Sequence, residues 1–388
     1  MSFHYLYLIF PFFLFFAVSL ADHVSPDVHR TFPEIIRSYN VPIETYNITT
    51  ADGYILSLFK IPSARPSTRD VLLVHGLAVN VASWVFGGPS VSIPMAIHND
   101  TSFNTWILAM RGTTHSLSHT IYITHDDQFW DFTLDQITKY DLPTAIAFIR
   151  HQNSTSKLTL IGHSQGSANI LGCLALNPSL QSYIDRAIVL APAVSLRHVK
   201  ATLFKYLAKI PASYVTSILG HKSFLGTPAV IERIIPGFCS IVKSVCRFAI
   251  CLLTGCTGLG NVAQDRVAVI TAHAPDTTSV RNLIQFSQMV SSHDGLFRMY
   301  DYGDEKTNFV HYGSSTPPVY PLHSIKVPLY LWSFKHDALV TPKDALEVSK
   351  MIPWEEWEVV EGWGHGDVLW DQDLRRLFLN KFLNQLTA

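Results

Sequence analysis

The pentapeptide Gly162-His163-Ser164-Gln165-Gly166 lies between a nearly continuous apolar run at 158–161 and a helix-compatible run that opens Ser167-Ala168-Asn169-Ile170-Leu171. Few folds accommodate that order of strand, two-glycine turn and helix. The turn pushes a serine oxygen out of a sheet, and the flanking glycines let neighbouring backbone pass without a Cβ clash. Further apolar runs recur at 71–75, 105–109, 187–190, 327–332 and 357–360. Most lack polar alternation, as strands covered on both faces should. Helical patterns fall between them, notably 134–150 and 167–176. This alternation predicts an α/β architecture: a mostly parallel central sheet flanked by helices, joined by right-handed crossovers.

Hydrophobic residues make up 48% of the 388, enough for a large core. With a formal net charge of −1, no global field recruits nucleic acid or anionic membrane, so recognition must be local. The 18 histidines show no metal-ligand spacing such as H-E-x-x-H, and nothing calls for a metal or organic cofactor. Residues 5–20 form an apolar run that ends in Ser19-Leu20-Ala21, a cleavage-like pattern, so 1–21 reads as a signal peptide. A retained membrane anchor is the alternative, weakened by Pro11 and the short span. Sequons at Asn47, Asn99 and Asn153 fit entry into the secretory pathway.

A catalytic reading follows from chain order. Ser164 is the candidate nucleophile, against the plainer alternative of a serine in a simple turn. In this strand–turn–helix arrangement an acid and then a histidine should come later in the chain. Asp337 lies just past the run at 327–332, and His365 sits between glycines beyond the run at 357–360. Asp344 and Asp367 are rival acids: Asp344 lies in a helix-like run after Pro342, and Asp367 needs its loop folded back on His365. Gly76, after the run at 71–75, frees backbone so that the Leu77 and Gln165 N–H groups can bind an oxyanion. His75 and His163 read as structural.

From 195 to 261 the rhythm breaks, with no clear strand and with Cys239, Cys246, Cys251 and Cys256 close together. At least one local disulfide is expected among these four, with the pairing open; a zinc site is the rival. Cys173 reads as a buried free thiol. Ser240, Lys243, Ser244 and Arg247 share one helical face with apolar residues around the rest, which predicts an amphipathic helix. Such a helix is either an ordinary cap helix or a lipid-contacting lid.

The chain resembles the acid lipase family, which includes gastric and lysosomal acid lipases. The resemblance rests on Thr50-Ala51-Asp52-Gly53-Tyr54-Ile55-Leu56 with Lys60-Ile61-Pro62, Val74-His75-Gly76-Leu77 with Trp84, Phe129-Trp130-Asp131-Phe132, Lys139-Tyr140-Asp141-Leu142-Pro143 and Gly162-His163-Ser164-Gln165-Gly166. It runs on to His365, so it spans nearly everything after the signal segment. It implies an α/β-hydrolase fold with an inserted helical cap and lid: core at 22–194 and 311–388, cap at 195–310. It also implies hydrolysis of triacylglycerols or steryl esters at a lipid–water interface, by Ser164, Asp337 and His365 with Leu77 and Gln165. Peripheral lipid contact through the cap and a lid disulfide in the cysteine-rich stretch would follow. So would a secreted or lysosomal/vacuolar location, without a transmembrane span after signal removal. The chain departs from the family pattern at Ala109-Met110-Arg111-Gly112-Thr113, at Phe334-Lys335 before the acid and at Gly366 after the histidine. An esterase or acyltransferase acting on small soluble esters, and a silent lipid-binding protein on the same scaffold, are the competing readings.

Overall fold

The computed structural model describes residues 25–210, 214–215, 218, 220, 222–224, 229–254 and 261–388; the expected signal segment and Cys256 lie outside them. In chain order the strands are β1 (Glu44–Thr49), β2 (Tyr54–Ile61), β3 (Arg69–Val74), β4 (Phe103–Leu108), β5 (Ser118–His119), β6 (Leu158–His163) and β7 (Ile184–Leu190). They continue with β8 (Ser223–Phe224), β9 (Thr278–Ser279), β10 (Leu329–Phe334) and β11 (Glu356–Val360). One sheet takes the order β1-β2-β4-β3-β6-β7-β10-β11, with β5 paired to β2, while β8 and β9 form a separate ribbon. From β4 to β11 every pairing is parallel; β1–β2 and β2–β4 are antiparallel.

Chemistry explains the core of this sheet. Every residue of β6 is buried, and β3 is buried except at Arg69. Their Val, Leu and Ile residues meet helices on both faces, the environment that a non-alternating run requires. β1, at the edge, is mostly exposed. Because the chain passes from β3 to β4 on one side and returns to β6 on the other, a crevice opens at the carboxyl ends of β3 and β6. Ser164 follows β6, Leu77 follows β3, Asp337 follows β10 and His365 follows β11. All four sit at the same edge of the sheet.

Several expectations need correction. The antiparallel pair β1–β2 and the short β5, β8 and β9 are not among the expected runs, and most of the other strands start or end one to two residues away from those runs. The helix at 134–150 extends to Gln152 and contains a wider π-type turn, Ile137–Asp141. The helix after the nucleophile begins at Gln165, not at 167. The single amphipathic helix is two, Ala229–Ile241 and Lys243–Thr254, separated at Val242. The exposed side of this pair is apolar: Phe238, Ile241, Val245 and Phe248 are each more than half exposed, whereas Lys243 and Arg247 are half-buried. Cys239 pairs with Cys246 across the break, Cys251 is disulfide-bonded too, and Cys173 is a buried free thiol. Among the described residues no helix is long and apolar enough to cross a membrane.

Candidate active site

Ser164 adopts φ +56°, ψ −118°, a conformation sparsely populated for any residue with a Cβ. Its surroundings hold it there. The Ser164 N–H donates to Leu190 O at 2.9 Å, and Ser164 O accepts from Ala168 N and Ala193 N. A Cβ on Gly166 would lie 2.1 Å from Val74 O, and one on Gly162 would lie 2.5 Å from Ser167 N. Both glycines are therefore fixed by close backbone approach.

The predicted residues converge. The Ser164 hydroxyl donates to His365 Nε2 at 2.8 Å, and His365 Nδ1–H donates to Asp337 Oδ2 at 2.7 Å. Asp337 is 1% exposed. Its other oxygen accepts the N–H groups of Leu339 and Val340, both at 2.8 Å. The carboxylate is thus clamped before it meets the imidazole. A buried hydroxyl–imidazole–carboxylate line of this kind can activate the hydroxyl for acyl transfer.

The rival carboxylates are engaged elsewhere. Asp344 caps its own helix through Thr341 and accepts the His198 N–H. Asp367 accepts from Gly364 N at 2.7 Å and from Trp370 Nε1 at 3.0 Å. Neither bonds His365.

Two histidines read as structural touch the site through backbone. His163 Nε2–H donates to His365 O at 2.9 Å, and burial pushes its pKa down to about 3, so the ring stays neutral. His75 Nδ1–H donates to Gly76 O at 2.9 Å, and its Nε2 accepts from Met110 N at 3.2 Å. Burial takes its pKa down to about 4. The Gly76 carbonyl and the Leu77 N–H share one planar trans peptide and point in opposite directions. Anchoring the carbonyl on His75 therefore turns the Leu77 N–H the other way. The sequence signal for these roles was only adjacency, each histidine lying next to a functional position.

Comparisons with known proteins identify the family. Residues 32–88 match the family model for a partial alpha/beta-hydrolase lipase region. Human lysosomal acid lipase/cholesteryl ester hydrolase is 32% identical over 372 residues, covering 93% of this chain and 92% of the relative. Bovine gastric triacylglycerol lipase is 30% identical over 369 residues, covering 93% and 92%. The chain belongs to the acid lipase family. A solved Sulfolobus solfataricus structure, 14% identical, shares the fold with a TM-score of 0.61 over 89% of this chain and 94% of its own.

Within that frame three family-like segments meet in space around Arg111, which lies in a segment that departs from the family pattern. The buried Arg111 guanidinium bonds Asp52 at 2.6 Å and Asp141 at 2.6 Å, and lies 4.0 Å above the Tyr54 ring. Phe129 and Phe132 pack against the same tyrosine. Three segments far apart in the chain share one ion cluster, and breaking its fully buried Arg111–Asp141 pair by removing one partner would cost about 3–5 kcal/mol. The helical pair also reaches the site: His365 N–H donates to Thr254 O, at the end of Lys243–Thr254.

Proposed function

We propose that this chain hydrolyses carboxylic esters of neutral lipids, triacylglycerols or steryl esters, through an acyl-enzyme on Ser164. Membership of the acid lipase family makes it a carboxylic ester hydrolase; the hydrogen-bonded line Asp337–His365–Ser164 carries the mechanism. Ser164 Oγ attacks the ester carbonyl carbon as its proton passes to His365 Nε2. The oxyanion accepts the Leu77 and Gln165 N–H groups, the second at the start of a helix, where the dipole favours negative charge. His365 then protonates the leaving alcohol, and the acyl group stays on Ser164. Water attacks this ester with His365 as base, releasing the fatty acid and restoring the hydroxyl. Asp337 stabilises the imidazolium in each half.

Residues 195–310 act in this reading as the cap and lid on a core of 22–194 and 311–388. The exposed Phe238, Ile241, Val245 and Phe248 suit contact with a lipid–water interface. Export to a secreted or lysosomal lumen fits Asn47 and Asn99, which are exposed; the Asn153 amide already donates to Asp70 at 2.6 Å.

The test is fluorophosphonate labelling of folded protein alongside hydrolysis of triolein and cholesteryl oleate emulsions. Labelling should map to Ser164, and Ser164→Ala should abolish labelling and lower hydrolysis by about four or more orders of magnitude. Residual turnover near the parental rate in that variant would place the nucleophile elsewhere.

A further inference from the structure

The near-zero net charge conceals a strong segregation. Residues 195–264 hold eight of the 29 Lys and Arg but one of the 30 Asp and Glu, giving that stretch +7 and the remainder of the chain −8. Arg197, Lys200, Lys205, Lys209 and Lys222 are exposed. Among the described residues, none of these four lysines has an acidic partner, and only Arg197 lies near one, Glu347 at 3.4 Å. Arg197, Lys205 and Lys209 line a 510 Å³ groove together with Tyr206 and Val290. Cations around an open groove are one half of an anionic-surface site; exposed apolar residues are the other half. The same stretch supplies both, since Tyr206, Phe238, Ile241, Val245 and Phe248 are each more than half exposed.

The stretch also borders the catalytic groups at both ends. Lys200 N and Ala201 N donate to Ala338 O, next to Asp337, and Thr254 O accepts the His365 N–H. The backbone of the stretch is thus tied to the segments that carry Asp337 and His365.

We propose that the exposed lysines and apolar residues named above dock on an anionic lipid surface, the lysines facing headgroup phosphates and the apolar residues entering the acyl boundary. This rests on the lipid-ester reading above and adds to it a selectivity for negatively charged interfaces. Neutral lipid alone would leave at least four unpaired lysines without a function at the site. Their attraction should fall with salt, because exposed charges are screened beyond about 10 Å at 0.1 M.

Full-length mature protein is mixed with phosphatidylcholine vesicles, with and without phosphatidylglycerol, and bound protein is measured by flotation. Binding to the phosphatidylglycerol vesicles should be about tenfold or more stronger and should fall towards the neutral level in molar salt. Lys205→Glu/Lys209→Glu should lose most of that difference, with circular dichroism melting as the fold control. If the charge-reversed protein fails to fold, Lys205→Gln/Lys209→Gln replaces it with the same expectation in weaker form. Equal binding to both vesicles overturns the proposal. So does absence of binding to either, which would hand the surface to a protein partner or a second copy, and so does loss of the difference to free inorganic phosphate at equal ionic strength. Hydrolysis of a water-soluble short-chain ester by the wild type is measured separately: selective vesicle binding without hydrolysis sinks the catalytic reading and leaves the docking one standing.

Discussion

At the scale of single residues, the site is decided by what each carboxylate already does. Asp337 spends one oxygen on two backbone N–H groups and offers the other to His365, while Asp344 is consumed by its helix cap. Asp337→Asn should therefore lower kcat by about 10⁴, because the amide favours the wrong imidazole tautomer. Asp344→Asn should keep kcat within about tenfold and lose about 1 kcal/mol of stability with its cap. Steady-state rates on one soluble ester separate the two, and comparable losses would mean that the acid is misassigned. His163 acts through a neighbour. His163→Phe leaves the His365 carbonyl without its donor, a loss of about 1–2 kcal/mol, or roughly tenfold in kcat at unchanged KM. His163→Gln, whose amide can reach the same carbonyl, should recover most of it. A drop in melting temperature with kcat intact would make His163 a packing residue only.

At the scale of elements, what could be read from sequence followed physical uniqueness. β3 and β6 announce themselves because strands buried on both faces need continuous apolar runs, and the elbow because Gly162 and Gly166 have no tolerated replacement beside Ser167 N and Val74 O. β1 surrounds its one buried residue, Ile48, with Glu, Thr, Tyr and Asn, as an exposed antiparallel edge strand does, and Ser57 and Lys60 interrupt the apolar residues of the largely buried β2, so no continuous run marked either. Ser164, Asp337 and His365 were legible because their order follows the strands that present them. The histidine contacts were not, since a ring bonded to a neighbour's carbonyl leaves no spacing pattern. The break at Val242 was hidden for another reason: residues 240–252 satisfy a 3.6 period, and only the Cys239–Cys246 closure reveals two short helices turned apolar side outward. Cys239→Ser/Cys246→Ser should loosen this corner by about 2–3 kcal/mol, the value for so short a loop. Hydrogen exchange should rise over 235–250 with the sheet unchanged; uniform exchange across the molecule would mean the disulfide holds the whole fold.

At the scale of the whole molecule, buried titratable groups set how the fold responds to acid. His163 and His75 are fully enclosed, with pKa values pushed by burial to about 3 and about 4 from an ordinary 6.5. Their folded pKa values are lower than the unfolded ones, so as pH falls below 6.5 the unfolded chain takes up protons that the folded chain refuses. Stability must then decline between about pH 6.5 and 4, by up to ~1.4 kcal/mol per pH unit for each group. Asp135 opposes this. Burial raises its carboxyl even though the Tyr320 hydroxyl donates to it at 2.6 Å and Tyr300 N at 2.8 Å. A carboxyl with a raised folded pKa contributes stability below its unfolded value, 3.8, and loses it as pH climbs through the folded one. The histidine loss thus begins as pH falls through 6.5, whereas the carboxyl gain begins as pH falls through the raised folded value and is complete only below 3.8. His163→Gln removes one proton acceptor of the unfolded chain without touching the carboxyls. Melting temperature followed from pH 7 to pH 4 should fall less steeply for His163→Gln than for the parent, the two curves converging in acid whatever their offset at neutrality. Parallel curves across that interval would mean that His163 is protonated alike in both states, and that the acid response resides in other groups.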